Sequence, residues 1–167
     1  MSDPSLDADA QDFAARVFDA ARQGDADQLA GWLDQGLPVD LTNHRGDTLV
    51  MLASYHGHLE ATRVLLAHDA DVERHNDDGH SPLAGAAFKG HLAMLELLLE
   101  YGANAEARSP DGKTPLMFAA MFDRLDAVKA LLIAGADAEA EDAKGNTALS
   151  LATTMGAQKT SAHLSGP

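Results

Sequence analysis

Histidine is the residue type in this chain that most suggests a chemical role, because imidazole binds metals and titrates near neutral pH. The sequence has eight histidines, and His56 and His58 stand closest together, on either side of Gly57. A zinc site would need further ligands at a matching spacing, and no carboxylate or cysteine completes such a set here. The histidines therefore support only an alternative hypothesis, a sensor that responds to a metal or a small ligand through surface histidines.

Two other segments have the outline of a ligand-binding loop, but neither contains the necessary residues. Residues 74–79 are rich in Asn and Asp like a calcium loop, but Arg74 occupies the first ligand position and no glutamate follows at the twelfth. Residues 112–114 (Gly-Lys-Thr) resemble the end of a phosphate-binding loop, but Ala107 stands where its first glycine belongs. No nucleophile motif is present either. The sequence therefore predicts neither an enzyme nor a bound cofactor or metal.

Charge and composition restrict the class of partner. The chain carries 26 acidic and 12 basic residues, a net charge of −14, and it has no cysteine. Such a field repels phosphate backbones and anionic membranes, so we expect no nucleic acid or membrane partner and favour a neutral or basic protein. Residues 1–11 lack the basic start and apolar run of a secretory signal. We expect a cytoplasmic protein that is monomeric on its own.

A period of 33 residues organises the chain. Glycine returns at this interval, followed two residues later by Thr or Ser, at Gly46, Gly79, Gly112 and Gly145. In the same register, two apolar columns three residues apart form one face of a first helix, and two leucine-rich columns lie in a second helix. A period of this length is typical of a solenoid of stacked units rather than one globular core. The sequence predicts a helix, a tight turn, a second helix and a protruding loop in each unit.

The residues between the helices indicate where each helix begins and ends. Asn, Asp or Ser stands three residues before each repeat glycine, as in a type I turn. The Thr or Ser after that glycine is expected to cap the first helix, and Pro82 and Pro115 occupy the first helical position. Asp69 stands in a column of glycines after the second helix, so we expect it to adopt the left-handed conformation that ends a helix.

These motifs resemble the ankyrin-repeat family. The resemblance rests on Pro82-Leu83, Thr114-Pro115-Leu116, the Gly-His pairs at 57–58 and 90–91, and the segment Leu97–Ala103. It covers residues 12–156 and implies an all-α ankyrin-repeat solenoid of stacked helix-turn-helix units with protruding β-turn loops. The family's histidine after Pro-Leu is absent, and that column reads Met51, Ala84, Met117 and Ser150.

The repeat predicts one domain with short tails. We expect a flexible acidic N-terminus over residues 1–11, a single domain over 12–164 and a tail over 165–167. The predicted units are 12–44, 45–75, 76–108, 109–141 and 142–164. The first lacks the turn motif and the last lacks an apolar second helix, as expected where a stack meets water; Gln158–Pro167 is either a polar cap helix or a frayed segment. Trp32 aligns with leucines, so it is predicted to be largely buried.

By resemblance, a partner contacts the turn tips and the ends of the first helices, which line a concave face. The candidate residues at the helix ends, where large apolar side chains recur in three adjacent units, are Tyr55, His56, Phe88, Lys89, Met121 and Phe122. The candidates at the turn tips are His44, Arg45, Asp77, Asp78, His80, Asp111 and Lys113. Aromatic residues and Met are enriched at interface centres, which favours a binding stripe over rings that only pack on the next unit. We expect a non-enzymatic protein-binding module that acts as an adaptor, an inhibitor or an accessory subunit.

Overall fold

A computed structural model describes residues 4–167, with side chains from residue 7 onward, and it consists of paired helices. The first helices of the pairs are α1 (Pro4–Gln23), α3 (Leu49–Tyr55), α5 (Pro82–Lys89), α7 (Pro115–Met121) and α9 (Ala148–Met155). The second helices are α2 (Ala26–Asp34), α4 (Leu59–Ala67), α6 (Leu92–Glu100), α8 (Leu125–Ile133) and α10 (Gln158–Leu164). Across residues 4–167 the only β-type pairing is an isolated bridge between Thr42 and Thr48. The predicted all-α repeat solenoid is confirmed.

The helices stack in two layers that share one continuous core. Each first helix packs on the first helix of the next pair, and each second helix does the same in its own layer. Fully buried side chains from successive units fill the first layer, at Val17, Val50, Leu83 and Leu116, and the second, at Leu29, Leu65, Leu98 and Leu131. Buried alanines on the first helices, such as Ala86 and Ala119, let neighbouring helices approach closely. None of the described helices is both long and apolar enough to cross a membrane.

The first helices of four pairs begin at hydroxyl caps, as the sequence predicted. In each case the side-chain oxygen accepts a hydrogen bond from the backbone N–H three residues later, in the pairs Thr48–Met51, Ser81–Ala84, Thr114–Met117 and Thr147–Ser150. These bonds satisfy donors that a helix start leaves free. Each cap therefore fixes the residue at which the first helix of its pair begins.

Two aspartates take the backbone conformation that usually requires glycine. Asp69 has φ 63°, so the sequence-based expectation for this residue is confirmed, and Asp123 has φ 56°. A non-glycine residue in this region costs about 1–2 kcal/mol. Asp123 also gains a contact, because its carboxylate accepts a hydrogen bond of 2.9 Å from the backbone N–H of Thr160. Asp123 thus connects the fourth helical pair to the last helix.

The N-terminal end of the stack differs from the sequence-based expectation, whereas the C-terminal segment forms the cap helix that was one of its two alternatives. Residues 4–11, predicted to be flexible, form the first turns of α1, because alanine favours a helix and an acidic first turn complements its dipole. Residues 1–3 lie outside the described part. At the other end, Gln158–Leu164 forms a helix, and the buried hydroxyl of Thr160 donates to the carbonyl of Ala120 at 2.8 Å.

Trp32 packs against the hydrophobic core but is not fully enclosed as the leucines aligned with it in the next three units are. Its indole ring meets Phe13 edge to face with 5.4 Å between centroids, and the Arg16 guanidinium lies 5.8 Å from the ring centroid. Both contacts come from α1 of the same unit. The aligned Leu65 and Leu98, which lie in the middle of the stack, are fully buried.

Candidate partner-binding groove

A groove of about 820 Å³ runs along the inner face of the stack, between the turn tips and α3, α5 and α7. All of the predicted contact residues except Asp77 and Lys89 line it. The lining also includes residues that sequence reasoning did not single out, notably Arg22, Asn43, Asn76 and Phe118. The available signal for Phe118 was its spacing, since it lies three and four residues before Met121 and Phe122 and so shares their helix face.

The floor of the groove is aromatic and spans three units. Tyr55 is 40% exposed, while Phe88, Met121 and Phe122 are half-buried. The rings of Phe88 and Phe122 meet edge to face across the unit boundary, with centroids 4.5 Å apart. Phe88 and Phe122 thus pack on each other and also line the groove, and the role of this stripe in binding stays a prediction.

A second aromatic contact links the turns to the first helices of the pairs. The imidazole of His80, on a turn, meets the ring of Phe118, on α7 of the next unit, edge to face at 5.9 Å between centroids. Both residues line the groove. The turn tips form one side of the groove, the turn wall, and this contact positions that wall relative to the aromatic floor.

The carboxylates on the turn wall already have partners. Asp78 pairs with Arg45 at 3.4 Å, and Asp111 is bonded to Lys113. Asp47 is nearly buried and accepts hydrogen bonds from the side-chain amides of Asn43, at 3.1 Å, and Asn76, at 2.9 Å. The turn wall therefore presents little unbalanced negative charge.

The pairing of Asp111 with Lys113 shifts the pKa of both groups. Hydrogen bonds from Lys113 and Ser109 lower the pKa of Asp111, and the bond to Asp111 raises the pKa of Lys113. The Lys113 ammonium also lies 3.6 Å from Asp142, a carboxylate of the next turn. Hydrogen bonds from the backbone and side chain of Asn146 and from the backbone of Lys144 lower the pKa of Asp142 to about 2. Lys113 thus joins two successive turns by charge.

A basic corner formed by Arg22, His56, His58 and Lys89 lies at the ends of the first helices; Arg22 and His56 line the groove, and His58 and Lys89 stand beside them. The Lys89 ammonium lies 4.5 Å from the centroid of the Tyr55 ring, and the His58 imidazole donates to the Arg22 carbonyl at 2.7 Å. Burial lowers the pKa of His56, and the nearby charges of His58, Lys89 and Arg22 lower it further. Within the described part of the chain, neither His56 nor Lys89 contacts a carboxylate; Arg22 pairs with Asp19 at 2.7 Å.

Backbone hydrogen bonds join the turn tips in pairs. The N–H of Asp77 donates to the carbonyl of Arg45, and the N–H of Ala143 donates to the carbonyl of Asp111, both at 3.0 Å. Pro110 occupies the equivalent place in the turn between them and has no N–H to donate. Close approach also requires glycine, since a Cβ at Gly112 would lie 2.8 Å from the Ala143 nitrogen.

The histidines do not form a metal centre. In residues 7–167, no three His, Asp or Glu side chains converge on a point that could hold a metal ion. The rings of His56 and His58 lie 6.4 Å apart at their centroids, and one nitrogen of His58 is engaged with Arg22. This geometry offers no support for the sensor hypothesis.

The family follows from the whole repeat rather than from one site. A family model described as ankyrin repeats in three copies matches residues 17–109 and, in a second placement, residues 102–165. The chain belongs to the ankyrin-repeat family. The resemblance seen in the sequence is therefore confirmed over most of this ankyrin-repeat protein.

Two relatives share segments of this ankyrin-repeat protein. A Pseudomonas aeruginosa protein, named as an ankyrin repeat protein, is 53% identical over 61 residues, which cover 36% of this chain and 36% of the relative. The Homo sapiens ankyrin repeat domain-containing protein 13A is 51% identical over 45 residues, which cover 27% of this chain and 8% of that protein. The chain thus matches about a third of the first relative and under a tenth of the second. Ankyrin repeats are in general protein–protein interaction modules and typically non-enzymatic.

Proposed function

We propose that this ankyrin-repeat protein binds one partner protein through the groove, as a cytoplasmic adaptor, inhibitor or accessory subunit without catalytic activity. The observation that carries the proposal is the aromatic floor, which places Tyr55, Phe88 and Phe122 in one groove across three units. Aromatic residues at the centre of a concave surface bury large areas on contact and dominate the affinity of such interfaces.

The groove is built on helices and hydrogen-bonded turns, which favours binding with little rearrangement. Helices α3, α5 and α7 begin at hydroxyl caps, and the turn tips are joined by backbone hydrogen bonds and by Lys113. A surface ordered before binding loses less conformational entropy when a partner docks. The net charge of −14 adds a long-range field that steers a neutral or basic partner and repels anionic ones.

The test compares Phe88→Ala with Ile133→Ala. Ile133 is 89% exposed at the end of α8 and does not line the groove, so it provides a matched loss of an apolar side chain elsewhere. We expect proteins retained from the source cell by wild type and by Ile133→Ala to be lost with Phe88→Ala. Affinity for the partner so identified should weaken by about 2 kcal/mol or more with Phe88→Ala.

Stability measured on the same samples separates binding from folding. Because the Phe88 ring packs on Phe122, Phe88→Ala will lower stability to some extent, so affinity must be expressed per folded molecule. The proposal fails if Phe88→Ala loses only folded protein and the folded fraction binds as wild type does. It also fails if Ile133→Ala loses the same partners.

A further inference from the structure

The chain as a whole is strongly acidic, but the charged residues that line the groove are balanced, with three basic and three acidic side chains. The chain carries −14, yet the carboxylates that line the groove are held by Arg45, Lys113 and the asparagine amides. The basic corner, by contrast, leaves His56 and Lys89 without a carboxylate contact in the part of the chain that the structure describes. Lys89, which lies over the ring of the groove residue Tyr55, therefore places a positive charge without a carboxylate contact at the edge of the aromatic floor.

We infer that the groove receives an acidic segment of its partner protein, with an apolar side chain against Tyr55 and Phe88 and a carboxylate against Lys89 and His56. The inference rests on the proposed function and specifies the chemistry of the segment that docks. It is compatible with the net charge of −14, because a partner protein that is neutral or basic overall can carry a short acidic docking segment.

The geometry of the corner suits a carboxylate next to an apolar group. Lys89 lies over the Tyr55 ring, and His56 meets the same ring edge to face with 5.6 Å between centroids. The Lys89 ammonium and the His56 imidazole thus flank one aromatic ring of the floor. A segment that fills the floor brings its neighbouring side chain within reach of both, and a charge-assisted hydrogen bond there is stronger than a neutral one.

The lowered pKa of His56 agrees with this assignment. Burial is the largest cause of the lowered pKa of His56, and the nearby charges of His58, Lys89 and Arg22 lower it further, as expected beside positively charged groups. A bound carboxylate would offset those charges and raise the pKa of His56. Binding of an acidic segment should therefore take up protons near neutral pH, whereas binding of a basic segment should not.

A displayed library of random peptides, panned on the wild-type protein, tests the inference directly. We expect the retained sequences to combine aromatic or aliphatic residues with Asp or Glu. A synthetic copy of the strongest sequence should bind about tenfold more weakly to Lys89→Glu than to wild type. The same peptide with its carboxylates replaced by amides should lose a similar factor on wild type.

Lys129→Glu is the matched control, because it makes the same change in net charge at an exposed position on α8, outside the groove. Its affinity for the peptide should stay within about twofold of wild type, since distant exposed charges are screened. If the reversal at Lys89 unfolds the protein, Lys89→Gln removes the charge without placing a carboxylate at the C-terminal end of α5.

The outcomes distinguish this inference from the proposed function. Retained sequences enriched in Lys or Arg overturn the inference, as does a peptide that depends on Phe88 but binds Lys89→Glu as tightly as wild type; in both cases the groove keeps its proposed role. If no retained peptide depends on Phe88, both the groove and the acidic segment are refuted.

Discussion

Replacing Thr62 by valine should stabilise the protein. Thr62 lies on α4 in a column that is otherwise apolar in the first four units, at Leu29, Leu95 and Val128, and all four side chains are fully buried. The Thr62 hydroxyl has no hydrogen-bond partner among the described residues. Folding therefore removes this hydroxyl from water without replacing the hydrogen bonds that water provided.

The expected gain can be worked out from that environment. A buried polar group without a partner costs about 1–3 kcal/mol, and valine replaces the hydroxyl with a methyl group of nearly the same shape. We expect the free energy of unfolding to rise by about 1–2 kcal/mol for Thr62→Val. In a chain of this size each kcal/mol corresponds to a rise in Tm of about 2–4 °C.

Thr160→Val is the matched control for this substitution. Thr160 is also fully buried, but its hydroxyl donates to the Ala120 carbonyl at 2.8 Å. The same change should therefore destabilise the protein here, by about 1 kcal/mol, because a hydrogen bond is lost. Urea unfolding followed by circular dichroism measures both variants. A Thr62→Val variant no more stable than wild type, or two variants that shift in the same direction, would refute the reasoning.

Two further predictions concern Asp69 and Asp142. Asp69→Gly should raise, and Asp69→Val lower, the urea midpoint, since φ 63° at Asp69 costs a side chain about 1–2 kcal/mol; equal midpoints for valine and wild type would contradict the assignment. The pKa of Asp142 falls from 3.8 to about 2 on folding, so its stabilisation is complete above about pH 5 and is lost as pH falls towards 2. The stability difference between wild type and Asp142→Asn should shrink over that range in urea titrations, and a difference independent of pH would contradict the role of the charge.

The repeat allowed most of the fold to be predicted because each position recurs in several units. The caps at Thr48, Ser81 and Thr114 and the left-handed backbone of Asp69 followed from local chemistry that acts within a few residues. The terminal units lack that redundancy. The start of α1 at Pro4 follows from an alanine-rich segment with an acidic first turn, and the partial exposure of Trp32 depends on its contacts with α1, so neither could be read from a column alignment.

The candidate groove could be predicted only in outline. The columns located the aromatic floor, since spacing along a helix determines which side chains share a face. They did not reveal the basic corner, because Arg22, His58 and Lys89 come from three different units and meet only through the stacking of those units. Contacts between successive turns could not be predicted from the sequence either. Lys113 and Asp142 are 29 positions apart in the chain, as are Asn76 and Asp47, and each pair meets only because the units stack.

Pro110 has a mechanical consequence for the row of turns. Because it donates no hydrogen bond, the tips form two bonded pairs, and the pairs are held to each other by packing of the Pro110 ring against Gly79. Packing contacts resist compression, but they yield to separation more readily than backbone hydrogen bonds do. A force that widens the groove would therefore separate the turns most readily between Gly79 and Pro110. The two hydrogen-bonded pairs of turns would then move apart as units.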